Sequence, residues 1–368
     1  MKTPILVIFV DALPYDRAVN IENALKADTH LKSIPGVGYS INVKAEMFAG
    51  LKPDDVGYFC EWNYNPDNRK VWWVNLGIPI LERLSSFSHF IDRVIHKLIT
   101  LARGERIYAI PYRILPMLKC SGLTAYERNF EAPTFLSDGN FERVLYSEEG
   151  VNDKKVFDKA LEKLRQEKNN RLFVSTAELD GVMHHYGMSC QRYEDQISLI
   201  EDLSVNLIQE FLSIHGDEAK YFLFSDHGMA PVLEPVDFDI SQYCGQPGNE
   251  SYVYVVDATF YRVWINNEEL RTKIIDAFGS INHVGHILTE EERIKYGLVD
   301  RRHGDIIFLL NESKQFAPNF FGKEISKAMH GYDPELKSQA GAFVSNTNSG
   351  FGGNISSISI HETIRAFL

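Results

Sequence analysis

Three short β-rich runs in this chain each end abruptly at polar residues, and this pattern limits the possible fold more than any other feature. The runs and the acidic residues that follow them are Ile5–Val10 with Asp11, Arg171–Thr176 with Asp180, and Tyr221–Phe224 with Asp226. Amphipathic patterns at helical spacing lie between the runs, at 156–166 and 193–214. Strands that alternate with helices predict an α/β fold, with a mostly parallel central sheet and helices on both faces. In such folds functional groups gather beyond the carboxyl ends of the strands, where these acidic residues lie.

The composition of residues 60–150 differs from that of the flanking chain, which predicts an inserted, mainly helical cap. The catalytic core would then comprise 1–59 and 151–368. Within the core, 234–328 would form a smaller α+β portion, with strands near Tyr252–Asp257, Tyr261–Asn266 and Asp305–Leu310.

The stretch 77–119 carries seven Lys or Arg and three Asp or Glu, an excess of four positive charges in a chain of net charge −12. Within it, Ser85–Leu101 has the pattern of an amphipathic helix, with His89, Arg93, His96 and Lys97 among apolar residues. One interpretation is a cap that packs on the core. The alternative is peripheral contact with a membrane or a lipid- or glycan-linked substrate. In a third interpretation, Arg83, Arg93 and Arg103 contact distal phosphates.

The charge of −12 argues against a nucleic-acid polymer as partner, because such binding depends on neutralising phosphates. An anionic substrate would need a locally positive site, such as bound metal. The four cysteines are widely spaced, which favours reduced thiols. The apolar run that begins at Ile5 is too short for a signal peptide or a membrane span, so we expect a cytoplasmic protein.

Six acidic and histidine residues are candidate metal ligands, and most of them follow the β-rich runs. Carboxylates and imidazoles without thiolates suit Zn²⁺, with Mn²⁺ as the alternative. Six ligands suffice for two divalent ions, as two-metal hydrolysis requires. The candidates are Asp11, Asp180, His184, Asp226, His227 and His330.

Four segments in their order along the chain resemble the type I phosphodiesterase/nucleotide pyrophosphatase family of the alkaline phosphatase superfamily. FVDALPYDR resembles its first metal-ligand strand, and ELDGVMHHYG resembles its PD-x-x-GH-x-x-G segment. FSDHGM and MHGYDPE are similar to its DHGM and late HGY segments. The resemblance covers 1–59 and 171 to the end, and implies an alkaline-phosphatase-like fold with two metals. Asp180, His184 and His330 would bind one ion, and Asp11, Asp226 and His227 the other.

The resemblance also implies a nucleophile at Ser40, because 49–57 (AGLKPDDVG) is similar to a segment that follows the nucleophile in relatives. Ser40 would lie at a helix N-terminus, where the alternative role is helix capping. Relatives often have Asn three residues later as a phosphoryl contact. Here that position is Val43, so Asn42 is the candidate. Val56 replaces the usual His of that segment, and Ala12 replaces the usual Gly after Asp11.

The implied reaction is attack of Ser40 on phosphorus, followed by hydrolysis of the covalent phosphoseryl-type intermediate. Two divalent ions would balance the charge of three aspartates and a serine alkoxide. We therefore expect a phosphodiesterase or nucleotide pyrophosphatase acting on a small phosphate ester. The alternatives are a phosphomonoesterase or phosphotransferase on the same site, and a metal-stabilised binding protein without turnover. A sulfatase is disfavoured, since no C-x-P-x-R or S-x-P-x-R motif lies near residue 40.

Overall fold

The computed structural model describes residues 3–38, 40–65, 80, 89–103, 110–120, 124–167, 170–348 and 350–368. The strands in chain order are β1 (Ile5–Val10), β2 (Thr29–Ile34), β3 (Trp62–Tyr64), β4 (Leu118–Cys120), β5 (Glu142–Leu145), β6 (Arg171–Thr176), β7 (Lys220–Phe224), β8 (Ala230–Pro231), β9 (Glu234–Val236), β10 (Tyr252–Val256), β11 (Phe260–Ile265), β12 (Gly285–Ile287), β13 (Ile306–Leu310), β14 (Lys314–Phe316), β15 (Ala328–Met329), β16 (Gly341–Ser345) and β17 (Asn354–Ser356).

The α-helices of the described residues are α1 (Val19–Leu25), α2 (Ser40–Ala49), α3 (Pro53–Val56), α4 (His89–Arg103), α5 (Phe135–Gly139), α6 (Asp153–Glu167), α7 (Glu178–Tyr186), α8 (Gln191–His215), α9 (Ser241–Cys244), α10 (Arg271–Gly279), α11 (Glu290–Tyr296) and α12 (Ser357–Arg365). Short 3-10 turns are Tyr15–Arg17, Leu115–Met117, Glu268–Leu270, Arg301–His303 and Lys337–Gln339.

The main sheet has seven strands in the order β17-β2-β16-β7-β1-β6-β5. The pairs β7–β1, β1–β6 and β6–β5 are parallel, and so is β17–β2; β16 runs antiparallel to β2 and β7. All six residues of β1 are buried, which explains why this strand reads as an unbroken apolar run rather than an alternating one.

Helices cover both faces of this sheet. Leu6, Ile8 and Val10 of β1 point to a core formed with α6 and α8. Ile5, Val7 and Phe9 point to the opposite core, which includes residues of α2, α5 and α12. Successive residues of a strand face opposite sides, so a strand with two buried faces needs apolar residues at every position. The predicted α/β fold with a mostly parallel sheet and helices on both faces is confirmed.

The chain divides into two compact units whose boundaries differ from the predicted core and cap. The first unit is Met1–Lys52, Leu123–Pro231 and Ser326–Leu368. The second is Pro53–Gly122 with Val232–Ile325. The predicted cap extends to residue 150, but β5 pairs with β6 in the main sheet, so residues 124–150 belong to the core.

The second unit contains a four-stranded antiparallel sheet in the order β10-β11-β13-β12. Two further strand pairs belong to it, β3–β4 and the parallel pair β9–β14. The strands predicted near Tyr252, Tyr261 and Asp305 are β10, β11 and β13. Residues 60–122 of the predicted cap and 234–325 of the predicted α+β portion therefore belong to one unit rather than two.

The predicted amphipathic helix corresponds to α4, which begins at His89. Residues 85–88 and Arg83 lie outside the described residues, as do the side chains of Arg93 and Arg103. The mainly helical character predicted for 60–150 therefore stays a prediction for 66–79, 81–88 and 104–109. Among the helices in the described part of the chain, none has the length and apolarity needed to cross a membrane.

Candidate active site

Three neighbouring parallel strands of the first unit bring candidate ligands to one edge of the main sheet. Asp11 follows β1, Asp226 and His227 follow β7, and Asp180 lies in α7, the helix after β6. His330 follows β15, which pairs with β8 a few residues after His227. Because the carboxyl ends of parallel strands meet at one edge, residues far apart in sequence become neighbours there.

The six candidate ligands form two groups of three, and in each group the ligand atoms lie within 4.8 Å of one another. The outer cluster is Asp180, His184 and His330, of which only His330 is fully buried. The inner cluster is Asp11, Asp226 and His227, and all three are buried. The structure thus brings together the same triplets that the family resemblance implied.

The outer cluster depends on one turn of α7 and on β15. Asp180 and His184 are four residues apart on one helix face, with 3.3 Å between His184 Nε2 and Asp180 Oδ1. His184 Nδ1 donates to the Ala328 carbonyl at 2.9 Å, which leaves Nε2 as the atom able to bind a metal. The ring of His330 lies 5.4 Å from that of His184.

The inner cluster is held by backbone groups. Asp226 Oδ1 accepts hydrogen bonds from the backbone N–H of Ala12 and of His227, each at 3.2 Å. His227 Nδ1 donates to the Gly228 carbonyl at 2.9 Å, so Nε2 faces the carboxylates. That nitrogen lies 3.4 Å from Asp226 Oδ2 and 3.7 Å from Asp11 Oδ1. The His227 ring stacks on His330 with 3.7 Å between centroids, which connects the two clusters.

The donor atoms fit divalent cations. Asp11 Oδ1, Asp180 Oδ1 and His227 Nε2 are buried, and among the described residues none of these atoms has a hydrogen-bond partner. A buried polar atom without a partner costs free energy, and a bound cation would remove that cost. Carboxylate oxygens with imidazole nitrogens match the preferences of Zn²⁺ or Mn²⁺.

Burial and neighbouring charges shift the pKa values of the site residues. Burial acts to raise the pKa of Asp226, but His227 and Lys44 outweigh it, so the pKa is lowered and the group is ionised. Burial, with the neighbouring histidines, lowers the pKa of His330 well below its ordinary value. A neutral imidazole and an ionised carboxylate are the forms that bind metals.

Two ligands depart from these forms. Burial lowers the pKa of His184, but Asp180 outweighs it and raises the pKa to about 9. Burial with the charge of Asp226 raises the pKa of Asp11 well above its ordinary value. A metal would displace a proton from each of these two residues.

Ser40 is the first residue of α2, and its hydroxyl donates a 2.8 Å hydrogen bond to Asp226 Oδ2. The side chain is therefore directed toward the inner cluster. Asn42 is placed differently: it is fully buried, and its Nδ2 donates to the Val37 carbonyl at 3.0 Å. The structure connects Ser40 to the clusters and shows no such hydrogen bond for Asn42 among the described residues.

Lys44 is a site residue that the sequence reasoning missed. It lies one turn after Ser40 on α2 and only 6% of the residue is exposed. Its Nζ is 2.7 Å from Asp11 Oδ2 and 3.4 Å from Asp226 Oδ2. Burial disfavours its charge, but the two aspartates outweigh burial and raise the pKa of Lys44, so it is a cation. The charge balance predicted from the sequence counts two metals, three aspartates and a serine alkoxide. Lys44 adds one positive charge to it. A lysine four residues after Ser40, one helical turn further on, was the available signal.

Asp153 is a second missed residue, and it positions the helix of the outer cluster. Its Oδ1 accepts the backbone N–H of Ala177 at 3.1 Å and of Glu178 at 3.3 Å, at the start of α7. In return, Glu178 accepts the Asp153 N–H at 2.8 Å. Because Ala177 makes no side-chain cap hydrogen bond, Asp153 satisfies N–H groups at the start of the helix from a distant part of the chain.

The backbone restricts the side chain at two small residues next to the inner cluster, Ala12 and Gly228. Ala12, where relatives have Gly, has a φ of 63°, in the left-handed region that favours glycine. Gly228 does not have such a φ. A Cβ at Gly228 would lie 2.3 Å from the Ser338 carbonyl oxygen, so the close approach of two backbone segments requires glycine.

Five further histidines lie outside the two clusters. His185 is exposed and its Nδ1 donates to the Gly181 carbonyl. His283 and His286 are exposed. His361 is buried and contacts the Phe48 carbonyl at 3.0 Å, and His303 in the second unit lies 3.1 Å from Asp54.

A family model described as type I phosphodiesterase / nucleotide pyrophosphatase matches residues 52–333. The match includes five of the six candidate ligands, whereas Asp11 and Ser40 precede it. It also includes 60–150, which the resemblance was expected to leave out. A search of curated protein sequences finds no match.

Solved structures similar to this chain include murine ectonucleotide pyrophosphatase/phosphodiesterase 5, in an inactive form in complex with AMP. It is 14% identical, with a TM-score of 0.66 over 100% of this chain and 95% of that chain. The human protein of the same name is 13% identical, with a TM-score of 0.66 over 98% and 93%. At these identities the likeness establishes the fold.

Proposed function

Because the chain belongs to the type I phosphodiesterase/nucleotide pyrophosphatase family and is thus a hydrolase of phosphoric esters, we propose that it cleaves phosphodiester or pyrophosphate bonds at Ser40 with two divalent cations. The family match covers most of the chain. The hydrogen bond from Ser40 to Asp226 carries the proposal, since it joins a hydroxyl nucleophile to one of the two clusters. The binding-protein alternative is set aside by the family.

The outer and inner clusters would each hold one cation, with Zn²⁺ favoured over Mn²⁺ by the mixed donor set. When bound, the two cations would supply positive charge that lowers the pKa of a nearby hydroxyl and stabilises charge on phosphoryl and leaving oxygens. Hydrogen bonds from the second ring nitrogen to Ala328 and Gly228 keep His184 and His227 oriented for this role.

In the first step, Ser40 Oγ attacks phosphorus as the bond to the leaving oxygen breaks. Asp226 Oδ2 already accepts the Ser40 proton in a hydrogen bond, so it is placed to take that proton. The leaving oxygen is protonated from solvent. In the second step, water cleaves the phosphorus–Oγ bond, the phosphate product leaves, and Ser40 regains its proton.

The substrate class we propose is a small nucleotide with a phosphodiester or pyrophosphate bond. The family description supports this, and so does the AMP complex of the murine structural relative. A released nucleoside monophosphate would be the expected product. The phosphomonoesterase and phosphotransferase alternatives use the same residues and differ only in the ester and in the acceptor.

The test compares hydrolysis of bis-p-nitrophenyl phosphate, p-nitrophenyl phosphate and ATP by wild type and Ser40→Ala, with Zn²⁺, Mn²⁺ or a chelator. Ser213→Ala, in an exposed position of α8, is the matched control. Metal-dependent diester cleavage with release of AMP from ATP, lost only in Ser40→Ala, is the expected result. Faster monoester cleavage would favour a phosphatase. Full activity of Ser40→Ala would exclude Ser40 as the nucleophile.

A lipid- or glycan-linked phosphate ester is the second candidate substrate. It is supported by α4, on which Val94, Leu98 and Leu101 are 41%, 60% and 72% exposed beside the exposed Lys97. These residues form a stripe at helical spacing, as in helices that lie on a membrane surface. Leu98→Asp would then abolish sedimentation with vesicles containing anionic lipid, while hydrolysis of a soluble diester would not change.

A further inference from the structure

Lys44 places an ammonium group within ion-pair distance of the inner cluster, whereas among the described residues no lysine or arginine makes an ion pair with the outer cluster. Its Nζ contacts oxygens of two different carboxylates, Asp11 and Asp226. It also lies over the rings of Phe9 and Tyr126, at 5.2 and 5.8 Å from their centroids. These contacts fix the ammonium group between an aromatic wall and the two carboxylates.

The carboxylate oxygens of the inner cluster divide into two sets. Asp11 Oδ2 bonds Lys44, while Asp11 Oδ1 faces His227 Nε2 and has no hydrogen bond among the described residues. Asp226 Oδ1 is occupied by backbone N–H groups, and Asp226 Oδ2 receives Ser40 and is 3.4 Å from both Lys44 and His227. One oxygen of Asp11 is therefore held by the lysine and the other is left for a metal.

We propose that Lys44 is the internal counter-ion of the inner cluster: it compensates one of the two negative charges that Asp11 and Asp226 would carry before a divalent cation binds, and it limits the affinity of that cluster for the cation. This inference rests on the proposed binding of divalent cations at the two clusters. In this role Lys44 is a positioning residue, because it acts through the carboxylates.

The physical reason is the cost of buried like charges. Two carboxylates that share one buried site repel each other, and either a metal or an ammonium group can compensate them. The ammonium group of Lys44 and a divalent cation in the inner cluster would repel each other across a few ångströms. The lysine therefore makes binding of the divalent cation weaker than the carboxylates alone would allow. The apo protein gains stability, and the inner cluster becomes the weaker cation site.

The test measures the thermal unfolding midpoint of wild type, Lys44→Met and Lys44→Gln during titration with Zn²⁺ or Mn²⁺ from a chelator-treated state. Calorimetric titration gives the affinities of the two sites. Glutamine retains a hydrogen bond to Asp11 without the charge, and remains informative if the methionine variant does not fold. Lys155→Gln, in an exposed position of α6, is the control.

Both Lys44 variants should unfold at a lower temperature than wild type in chelator, and should gain more stability from the metal. The cation concentration that half-saturates the weaker site should fall by about tenfold or more, because a nearby positive charge has been removed. Equal affinities and equal metal-induced stabilisation in wild type and Lys44→Gln would overturn the inference alone. Absence of two-site binding in wild type would instead overturn the cation sites of the proposed function, and this inference with them.

Discussion

The outer and inner clusters present the same ligand types, but they are built differently. Asp180 and His184 project from a single helix, α7, and are partly exposed. Asp11, Asp226 and His227 follow two adjacent strands, are buried, and share their space with Ser40 and Lys44. The proposed nucleophile and the buried lysine therefore both lie at the inner cluster. Under the proposed function, the inner cluster would orient Ser40, and the partly exposed outer cluster would contact the substrate.

Asp226→Asn should cause the largest loss of activity, because it removes a ligand charge and the acceptor of the Ser40 hydroxyl together. We expect kcat/KM to fall on the order of a thousandfold, about 4 kcal/mol of transition-state stabilisation. Asp180→Asn removes only an outer ligand and should cost roughly tenfold less. Steady-state hydrolysis of the best diester, with metal content measured for each variant, checks both values.

Asp158→Asn, on the exposed face of α6, controls for the loss of a surface carboxylate. If Asp226→Asn and Asp180→Asn lost equal activity while each variant retained one metal, the assignment of different roles to the two clusters would be wrong.

Gly228→Ala should be the most destabilising of the small substitutions near the inner cluster. The new Cβ would lie 2.3 Å from the Ser338 carbonyl oxygen and 2.8 Å from that of Ala340, and neither backbone can move freely. We expect the free energy of unfolding to fall by about 3 kcal/mol. Urea denaturation measures this. An unchanged midpoint would mean that the segment 338–340 is not held against the inner cluster.

Glu46→Gln tests the helix that carries Ser40 and Lys44, since Glu46 is buried on the same helix but not beside an aspartate cluster. Burial raises the pKa of Glu46 to about 7, although Ser357 and Lys52 oppose the shift. A carboxyl whose pKa is higher in the folded state destabilises that state once pH exceeds its unfolded pKa, and the penalty is constant above the folded pKa.

The penalty of ionised Glu46 should therefore grow between pH 5 and pH 8. The variant should gain about 2 kcal/mol of stability over wild type across this range. Denaturation at the two pH values, with Glu291→Gln as an exposed control, measures the difference. If the difference in the free energy of unfolding between Glu46→Gln and wild type is the same at both pH values, Glu46 is not buried as an isolated carboxyl.

The fold was predicted correctly because its buried strands leave a direct signal. Ile5–Val10 is a continuous apolar run and Arg171–Thr176 is a short run with an apolar centre, and the structure has β1 and β6 with the same ends. The four-residue strand β5 has no such signal, and only its pairing with β6 shows that it belongs to the core. Lys44 was missed for a related reason: the burial of a lysine depends on Asp11 and Asp226, which only the tertiary structure brings to it.

Gly181→Ala should have the smallest effect, and it is the matched opposite of Gly228→Ala. Gly181 follows Asp180 inside α7, and a Cβ there meets nothing within 4 Å among the described residues. Glycine inside a helix costs conformational entropy, so alanine should stabilise the protein by about 0.5–1 kcal/mol. Gly228→Ala, the same chemical change beside the inner cluster, should destabilise the protein. If urea denaturation gives the two variants opposite changes in the free energy of unfolding, backbone encloses the inner cluster, whereas the outer cluster lies on an open helix. Destabilisation by Gly181→Ala would show that the outer cluster is enclosed as well, and a cluster enclosed on all sides would leave no solvent route for the substrate.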